Sequence, residues 1–63
     1  MNALLDNLTN GNLTDAKKQA VRFDMFTIAR NAMEYLGYSR NKAIMAGAYL
    51  KGRCTFQAYC DAK

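Results

Sequence analysis

Three polar side chains follow directly after a serine in the second half of the chain: Arg40, Asn41 and Lys42. A guanidinium can hold a phosphate or a guanine edge through two parallel hydrogen bonds, and an asparagine amide can pair with adenine in the same way. Lys51 and Arg53 add two further cations closer to the end of the sequence. The chemistry that these residue types predict is recognition of an anionic or hydrogen-bonding partner.

The net charge of the chain lies in this half. Residues 1–38 carry four cations and four anions, whereas residues 39–63 carry five cations and one anion, so the formal net charge of +4 belongs to the second segment. A neutral scaffold with a basic end is typical of a module that binds something negative. Nucleic acid (DNA) and an acidic protein surface both fit this description.

Catalytic and metal-binding residues are scarce. The chain has no histidine, and Cys54 and Cys60 are its two cysteines, so the usual ligand sets of a structural zinc site cannot be assembled within one chain. A cysteine nucleophile would also lack the usual histidine base. We therefore expect a protein that is not an enzyme, with no metal and no cofactor, in which both cysteines are reduced.

Targeting and membrane signals are also missing from the sequence. The first residues lack the basic start and the long apolar stretch of a signal peptide. No apolar run approaches the roughly 20 residues that span a bilayer. The sequence therefore predicts a cytoplasmic protein that makes no membrane contact.

Helix is the secondary structure that the sequence predicts throughout. There is no proline and no sustained alternation of apolar and polar residues. We expect an all-α fold, a compact bundle of three to four short helices in a single domain spanning residues 1–63. The predicted elements are a short helix at about 2–9, a helix or a helix pair at about 14–36, and helices at about 39–51 and 55–62.

The sequence does not decide whether the long segment 14–36 forms one helix or two. Thr14 is the expected cap at its start, and Asp24 could cap a second helix, with Phe23 and Ile28 at the spacing of a hydrophobic staple. One long helix and two shorter ones both fit the pattern. The apolar face predicted for this segment comprises Val21, Phe23, Met25, Phe26, Ala29, Ala32, Met33 and Leu36.

The next helix is predicted to start from Ser39, after Gly37 ends the preceding one. Its apolar side is made of small residues, Ala43, Ala46 and Gly47, followed by Leu50. Glycine costs nearly 1 kcal/mol relative to alanine inside a helix, so Gly47 predicts the close approach of another element. We expect the bulky side chains of Phe23, Phe26 and Met33 to fill the groove that these small residues leave.

Residues 32–43 resemble the helix-turn-helix segment of many bacterial and phage DNA-binding proteins, in which the pattern A-x-E-x-L-G-x-S-R-N is common. Leu36 would anchor the first helix, Gly37 would take the left-handed turn and Ser39 would start the second helix. The resemblance implies that Arg40, Asn41 and Lys42 stand at the front of a recognition helix and face base edges in the major groove. Lys51 and Arg53 would contact phosphates at its far end.

The segment departs from that pattern at two positions. Met33 stands where alanine is usual, and Ala43 stands where valine, isoleucine or leucine is usual. These two positions touch in the family, so we expect the large side chain of Met33 to compensate in volume for the small one of Ala43.

Two functions follow from the sequence. The first is a DNA-binding regulator that uses the helix-turn-helix-like segment. The second is an accessory protein that docks on a larger host enzyme and inhibits or modulates it, because compact, basic, proline-free chains of this length resemble small phage accessory proteins.

The sequence leaves two roles open for Leu4, Leu5 and Leu8, which could form a homodimer contact or belong to the core. In either function, the predicted partner-binding residues are Tyr38, Ser39, Arg40, Asn41, Lys42, Tyr49, Lys51 and Arg53.

Overall fold

The computed structural model of the chain describes residues 2–63, and every regular element in that range is a helix. The prediction of a compact all-α fold is confirmed, but the number of helices is five, one more than the upper end of the prediction. Along the chain they are α1 (Asn2–Thr9), α2 (Leu13–Ala20), α3 (Met25–Leu36), α4 (Arg40–Leu50) and α5 (Phe56–Asp61).

The additional helix exists because Asp24 divides the segment 14–36. Its backbone is extended (φ −78°, ψ 165°), and its carboxylate accepts a hydrogen bond of 2.7 Å from the backbone amide of Thr27. The same carboxylate accepts a second bond from the Thr27 hydroxyl. Asp24 is therefore the N-cap of α3. Val21 consequently lies in the turn before it and is 77% exposed, so its assignment to the apolar face was wrong.

The cap at Asp24 predicts a dependence of stability on pH. The bonds from the Thr27 amide and hydroxyl lower the pKa of Asp24 below its ordinary value. The carboxylate therefore contributes stability at neutral pH, and that contribution is lost as the pH falls through the lowered pKa. We expect Asp24→Ala to lower the melting temperature at pH 7, by an amount that shrinks below about pH 4. Thermal unfolding of both proteins across this range tests it, with Asp6→Ala as the control carboxylate that caps no helix. An Asp24→Ala effect that stays constant down to pH 2 would contradict the cap.

Three other helix ends match the sequence prediction, and one does not. Gly37 ends α3 in the left-handed conformation (φ 69°), Ser39 Oγ accepts from the amide of Lys42, and Thr55 Oγ1 accepts from the amide of Ala58. The predicted cap at Thr14 was wrong because α2 already begins at Leu13. Asn12 precedes it as the N-cap without a side-chain bond to the helix backbone, and its side-chain amide donates to Asp15 Oδ2.

Two helical hairpins stack to form the core. α1 packs on α2 and α3 packs on α4, while α1 also touches α3, α2 touches α4 and α5 packs on α4. The leucines of α1 are buried in this core, which removes them from consideration as a dimer contact. Each fully buried leucine contributes about 1.5–3 kcal/mol. The buried side chains are Leu4, Leu5, Leu8, Ala16, Ala20, Ile28, Ala29, Ala32, Ala43, Ala46, Tyr49, Leu50 and Tyr59.

The close approach predicted at Gly47 is confirmed, but its neighbour is a backbone. A Cβ added at Gly47 would lie 2.7 Å from the carbonyl oxygen of Met25, at the start of α3. Two of the three bulky side chains that were expected to fill this space are exposed instead. Phe26 is 71% exposed and Met33 is 38% exposed, so their assignment to the core was wrong.

Candidate interaction surface on α3 and α4

The predicted partner-binding residues are divided between the two ends of α4. Tyr38, Ser39, Arg40 and Asn41 lie at its start, whereas Lys51 and Arg53 lie beyond its end. A helix of 11 residues separates these groups by roughly 16 Å. The fold therefore does not gather the predicted residues into one continuous site.

Arg40 and Asn41 are the predicted residues that project freely into solvent at the start of α4. Both side chains are exposed. Within residues 2–63, no hydrogen bond or ion pair engages either side chain. Ser39 holds this end of the helix through its bond to the amide of Lys42 (3.2 Å). The helix start is therefore well fixed, and Arg40 and Asn41 are available for a partner.

Lys42 has a structural role. Its Nζ lies 3.4 Å from each of the carbonyl oxygens of Tyr59 and Ala62, to which it donates at the C-terminal end of α5. The same ammonium group lies over the rings of Tyr38 and Tyr59, at 5.4 and 4.8 Å from their centroids. A cation at a helix C-terminus is stabilised by the unpaired carbonyls there. Lys42 therefore joins α4 to α5.

Lys51 acts in the same way at another helix end. Its Nζ donates a hydrogen bond of 3.0 Å to the carbonyl oxygen of Ala20, the last residue of α2. Its charge also contributes, as the smallest of several causes, to the lowered pKa of Asp24. Lys51 is exposed, but this hydrogen bond links the end of α4 to the end of α2 and so joins the two hairpins.

Tyr49, predicted as a partner-binding residue, is buried, with 6% of its surface exposed. The ring of Tyr59 stacks on it at 6.1 Å, the edge of Phe56 meets it at 5.2 Å, and Lys17 Nζ lies 4.6 Å from its centroid. Tyr38 is half-buried, with its hydroxyl oxygen 2.8 Å from that of Tyr59. Both tyrosines belong to the aromatic cluster that holds α5.

An apolar groove between α3 and α4 is the main feature that the sequence interpretation missed. It is an open depression of about 470 Å³ on the surface. Ala29 forms its buried floor, Ile44 is half-buried, and Phe26 and Met33 are exposed. We call it the α3–α4 groove, and the residues that line it are Phe26, Ala29, Arg30, Met33, Arg40 and Ile44.

Two arginines give the α3–α4 groove a positive rim, one from each helix. Arg30 extends from α3, where its Nε lies 3.4 Å from Glu34 Oε1 in an exposed pair one helical turn apart. Such surface pairs contribute little and exchange easily with solvent or another partner. Arg40 extends from the start of α4. An exposed aromatic residue and a methionine between two arginines is a composition typical of protein interfaces.

The sequence did contain a signal for this groove. Phe26, Arg30 and Met33 follow helical spacing and form a second stripe along α3, beside the stripe of Ile28, Ala29 and Ala32 that is buried. A helix with two apolar stripes has more apolar surface than one neighbour can cover. The expected compensation between Met33 and Ala43 is also incomplete, since Ala43 is fully buried while Met33 remains partly exposed.

A second, smaller opening of about 440 Å³ lies beside α1 and α2. Lys18, Arg22 and Phe23 contribute to its wall. Within residues 2–63 no three cysteine or carboxylate side chains come together as ligands for a metal ion. Cys54 and Cys60 are free, and the Cys54 thiol donates to the carbonyl oxygen of Met45.

No family model, curated protein or solved structure matches this chain. Among the helices in residues 2–63, none is long and apolar enough to cross a bilayer. The α3–α4 groove and the charges around it are therefore the features of the molecule that bear on its function.

Proposed function

We propose that this chain is a small helical binding protein without enzymatic activity, which docks on a larger protein through the α3–α4 groove. The observation that carries the proposal is the exposure of Phe26 and Met33 between Arg30 and Arg40. Aromatic, methionine and arginine side chains are enriched in interfaces. Arginine is also enriched among the few residues that dominate binding energy. Burying Phe26 alone would contribute about 2 kcal/mol.

The cations of the second half of the chain support a protein partner more than a duplex. Of the four cations that DNA contact would require, Lys42 and Lys51 donate to carbonyl oxygens of their own chain. Arg40 and Arg53 stand at opposite ends of α4. Each phosphate contact depends on a free cation, so this arrangement gives weak electrostatic affinity for a duplex. The outer face of α4 also presents Ile44 and Met45 beyond Asn41, where a DNA reader would present polar groups.

DNA binding is the second candidate function, and one observation favours it. Gly37 adopts the left-handed conformation and Ser39 caps α4, so Arg40 and Asn41 stand exposed at the front of a helix, as a recognition helix requires. Under this function, affinity for duplex DNA would depend on Arg40 and Asn41, while Phe26 would have little effect.

The role that fits a docking protein of this size is modulation of its partner. A chain of 63 residues offers little room for a pocket that excludes water, but its groove can cover a functional surface on a larger protein. We therefore favour an inhibitor or modulator of a host enzyme, in the manner of small phage accessory proteins. Two free thiols suit the reducing conditions of the cytoplasm, where we place it.

Photo-crosslinking tests this proposal. We expect p-benzoylphenylalanine at position 26 or 33 to form adducts in vivo with one defined protein, because both side chains would be buried against it. The matched control is position 35, since Tyr35 is also exposed on α3 (60%) but lies two residues from Met33 and so points away from the groove. With the partner purified, Phe26→Ala should weaken binding by about tenfold or more, and Tyr35→Ala should leave it unchanged.

Two results would contradict docking through the groove. One is a partner whose affinity is the same for Phe26→Ala and the unaltered protein. The other is adduct formation with DNA in place of protein, together with a duplex affinity that falls for Arg40→Ala and is indifferent to Phe26→Ala. The second result would establish the DNA-binding candidate.

A further inference from the structure

The occupant of the α3–α4 groove can be specified from its shape and charge. We propose that it receives an acidic amphipathic helix of the partner protein. This inference rests on the proposed function, since it specifies what the partner places in the groove. Two packed helices leave a furrow between them, and a third helix fills such a furrow by inserting a ridge of apolar side chains. Within residues 2–63, only α3 and α4 line this furrow, so no helix of the chain itself fills it.

The centre of the groove determines where the partner helix must carry apolar residues. Ala29 provides a low floor, while Phe26, Met33 and Ile44 form raised walls. Phe26 and Met33 lie seven residues apart on α3, or about two helical turns. A partner helix that places apolar residues at positions i, i+3 or i+4, and i+7 spans the same length. Methionine adapts its shape to irregular apolar surfaces, which suits it to this contact.

The rim of the groove determines which charges the partner helix must carry. Arg30 and Arg40 come from different helices and stand on the two sides of the furrow. Arg40 has no partner within residues 2–63, and Arg30 has one exposed contact of 3.4 Å with Glu34. Carboxylates on both flanks of the incoming helix could pair with both arginines, since guanidinium and carboxylate geometries match. Glu34, which pairs with Arg30, opposes such a partner.

A second copy of the chain fits this groove poorly. Two copies related by a two-fold axis would place the same surface against itself. Arg30 and Arg40 of one copy would then face Arg30 and Arg40 of the other, with Glu34 as the single anion of each rim. Like charges brought together at an interface disfavour association. The net charge of +4 on each chain acts in the same direction.

A designed peptide provides the probe. It is a helix of about 18 residues with leucine at i, i+4, i+7 and i+11, glutamate on both flanks, and alanine and glutamine elsewhere, long enough to be helical in isolation. One control peptide carries lysine in place of each glutamate, and a second keeps the composition but scrambles the leucines. Binding is followed by amide chemical shifts of the labelled protein and by fluorescence anisotropy.

We expect the acidic peptide to shift the amides of residues 26–33 and 40–44 in a saturable manner, and neither control peptide to do so. Arg40→Glu should weaken binding by about tenfold or more, whereas Arg53→Glu, the same charge change at the far end of α4, should change it less than about twofold. Glu34→Gln should strengthen binding by a few-fold because it frees Arg30 and removes the opposing charge. Added salt should weaken binding.

Three outcomes would overturn this inference. The first is equal binding of the lysine and glutamate peptides, and the second is shifts confined to residues outside the groove. The third is a concentration-dependent dimer in sedimentation that Phe26→Ala abolishes, which would assign the groove to a second copy. If the peptide fails while the crosslinked partner still requires Phe26, the docking function stands and only its helical, acidic partner is wrong. If that partner is indifferent to Phe26, the docking function itself fails.

Discussion

Replacing Tyr59 with alanine is expected to detach α5 and to lower the free energy of unfolding by about 3–5 kcal/mol, the usual cost of removing a buried aromatic ring. Tyr59 is 6% exposed. Its ring lies 6.1 Å from that of Tyr49 and 5.7 Å from that of Phe56. A domain of 63 residues has only about 3–9 kcal/mol of stability in total. The variant should therefore be largely unfolded at 37 °C, as circular dichroism and urea denaturation would show.

Phe56 provides the matched control for this loss. It lies on the same short helix, and its ring packs against those of Tyr49 and Tyr59, but it is 42% exposed. Phe56→Ala should therefore cost clearly less than Tyr59→Ala. If both variants lost the same stability, either ring would hold α5 equally well, and the anchoring role assigned to Tyr59 would be wrong.

The hydroxyl of Tyr59 makes a separate contribution to the free energy of unfolding, and this contribution depends on pH. Burial raises the pKa of Tyr59 above its ordinary value, and the hydroxyl of Tyr38, 2.8 Å away, raises it further. Below about pH 10 both the folded and the unfolded chain keep this proton, so the contribution of the hydroxyl is fully present. Above about pH 10 the unfolded chain releases the proton first, and that contribution is lost as the pH rises.

Tyr59→Phe isolates this contribution. Near neutral pH it should cost about 1 kcal/mol, because one hydrogen bond is lost and the Tyr38 hydroxyl loses its partner. The difference in unfolding free energy between the two proteins should stay constant up to about pH 9 and shrink as the pH rises from about 10 to 11. Chemical denaturation at several pH values measures it. A difference that stays constant over this range would mean that the Tyr59 hydroxyl titrates normally in the folded chain.

The parts of the fold that the sequence predicted are those decided by local interactions. Ser39 and Thr55 cap the helices that follow them, and Gly37 ends α3, because each of these contacts lies within four residues of its origin. The division at Asp24 was also visible as an alternative. It could not be decided from the pattern, because Val21 and Phe23 extend the apolar spacing of α2 into α3 across the break.

The destinations of the lysines could not be predicted, because they depend on contacts between distant elements. Lys51 Nζ bonds to a carbonyl oxygen 31 residues earlier in the chain, and Lys42 Nζ bonds to one 17 residues later. No local pattern indicates which helix C-terminus will lie near which ammonium group. A cation run interpreted as a binding surface thus proved to be partly a set of tertiary contacts, which leaves Arg40 as the predicted cation that borders the groove.

The α3–α4 groove was missed for a related reason. The sequence indicates how many apolar residues α3 carries, but burial of each one depends on which neighbours the topology provides. Phe26 and Met33 were assigned to the small-residue side of α4, a place that the backbone of Met25 occupies instead. Because α3 and α4 approach this closely at Gly47, the space there is taken by Met25, and Phe26 and Met33 lie exposed instead.

Substitution of Gly47 tests this account of both the fold and the groove. We expect Gly47→Ala to lower the free energy of unfolding by about 1–3 kcal/mol, the usual cost of overpacking. Helix propensity alone would change it by almost 1 kcal/mol in the opposite direction. The added Cβ would lie 2.7 Å from Met25 O, and this oxygen cannot move without distorting the first turn of α3. Gly47→Leu should be still more destabilising. Urea denaturation of each variant gives these values.

Two further variants test whether the backbone contact causes the loss of stability expected for Gly47→Ala. Ala48→Gly, at the next position of α4, measures the difference in helix propensity without the close contact and should cost about 1 kcal/mol. Met25→Ala combined with Gly47→Ala should not restore stability, because the nearest atom is the carbonyl oxygen and the side-chain Cγ lies farther away, at 3.1 Å. A Gly47→Ala protein more stable than the original would mean that α3 and α4 are not in backbone contact here. The exposure of Phe26 and Met33 would then need another cause.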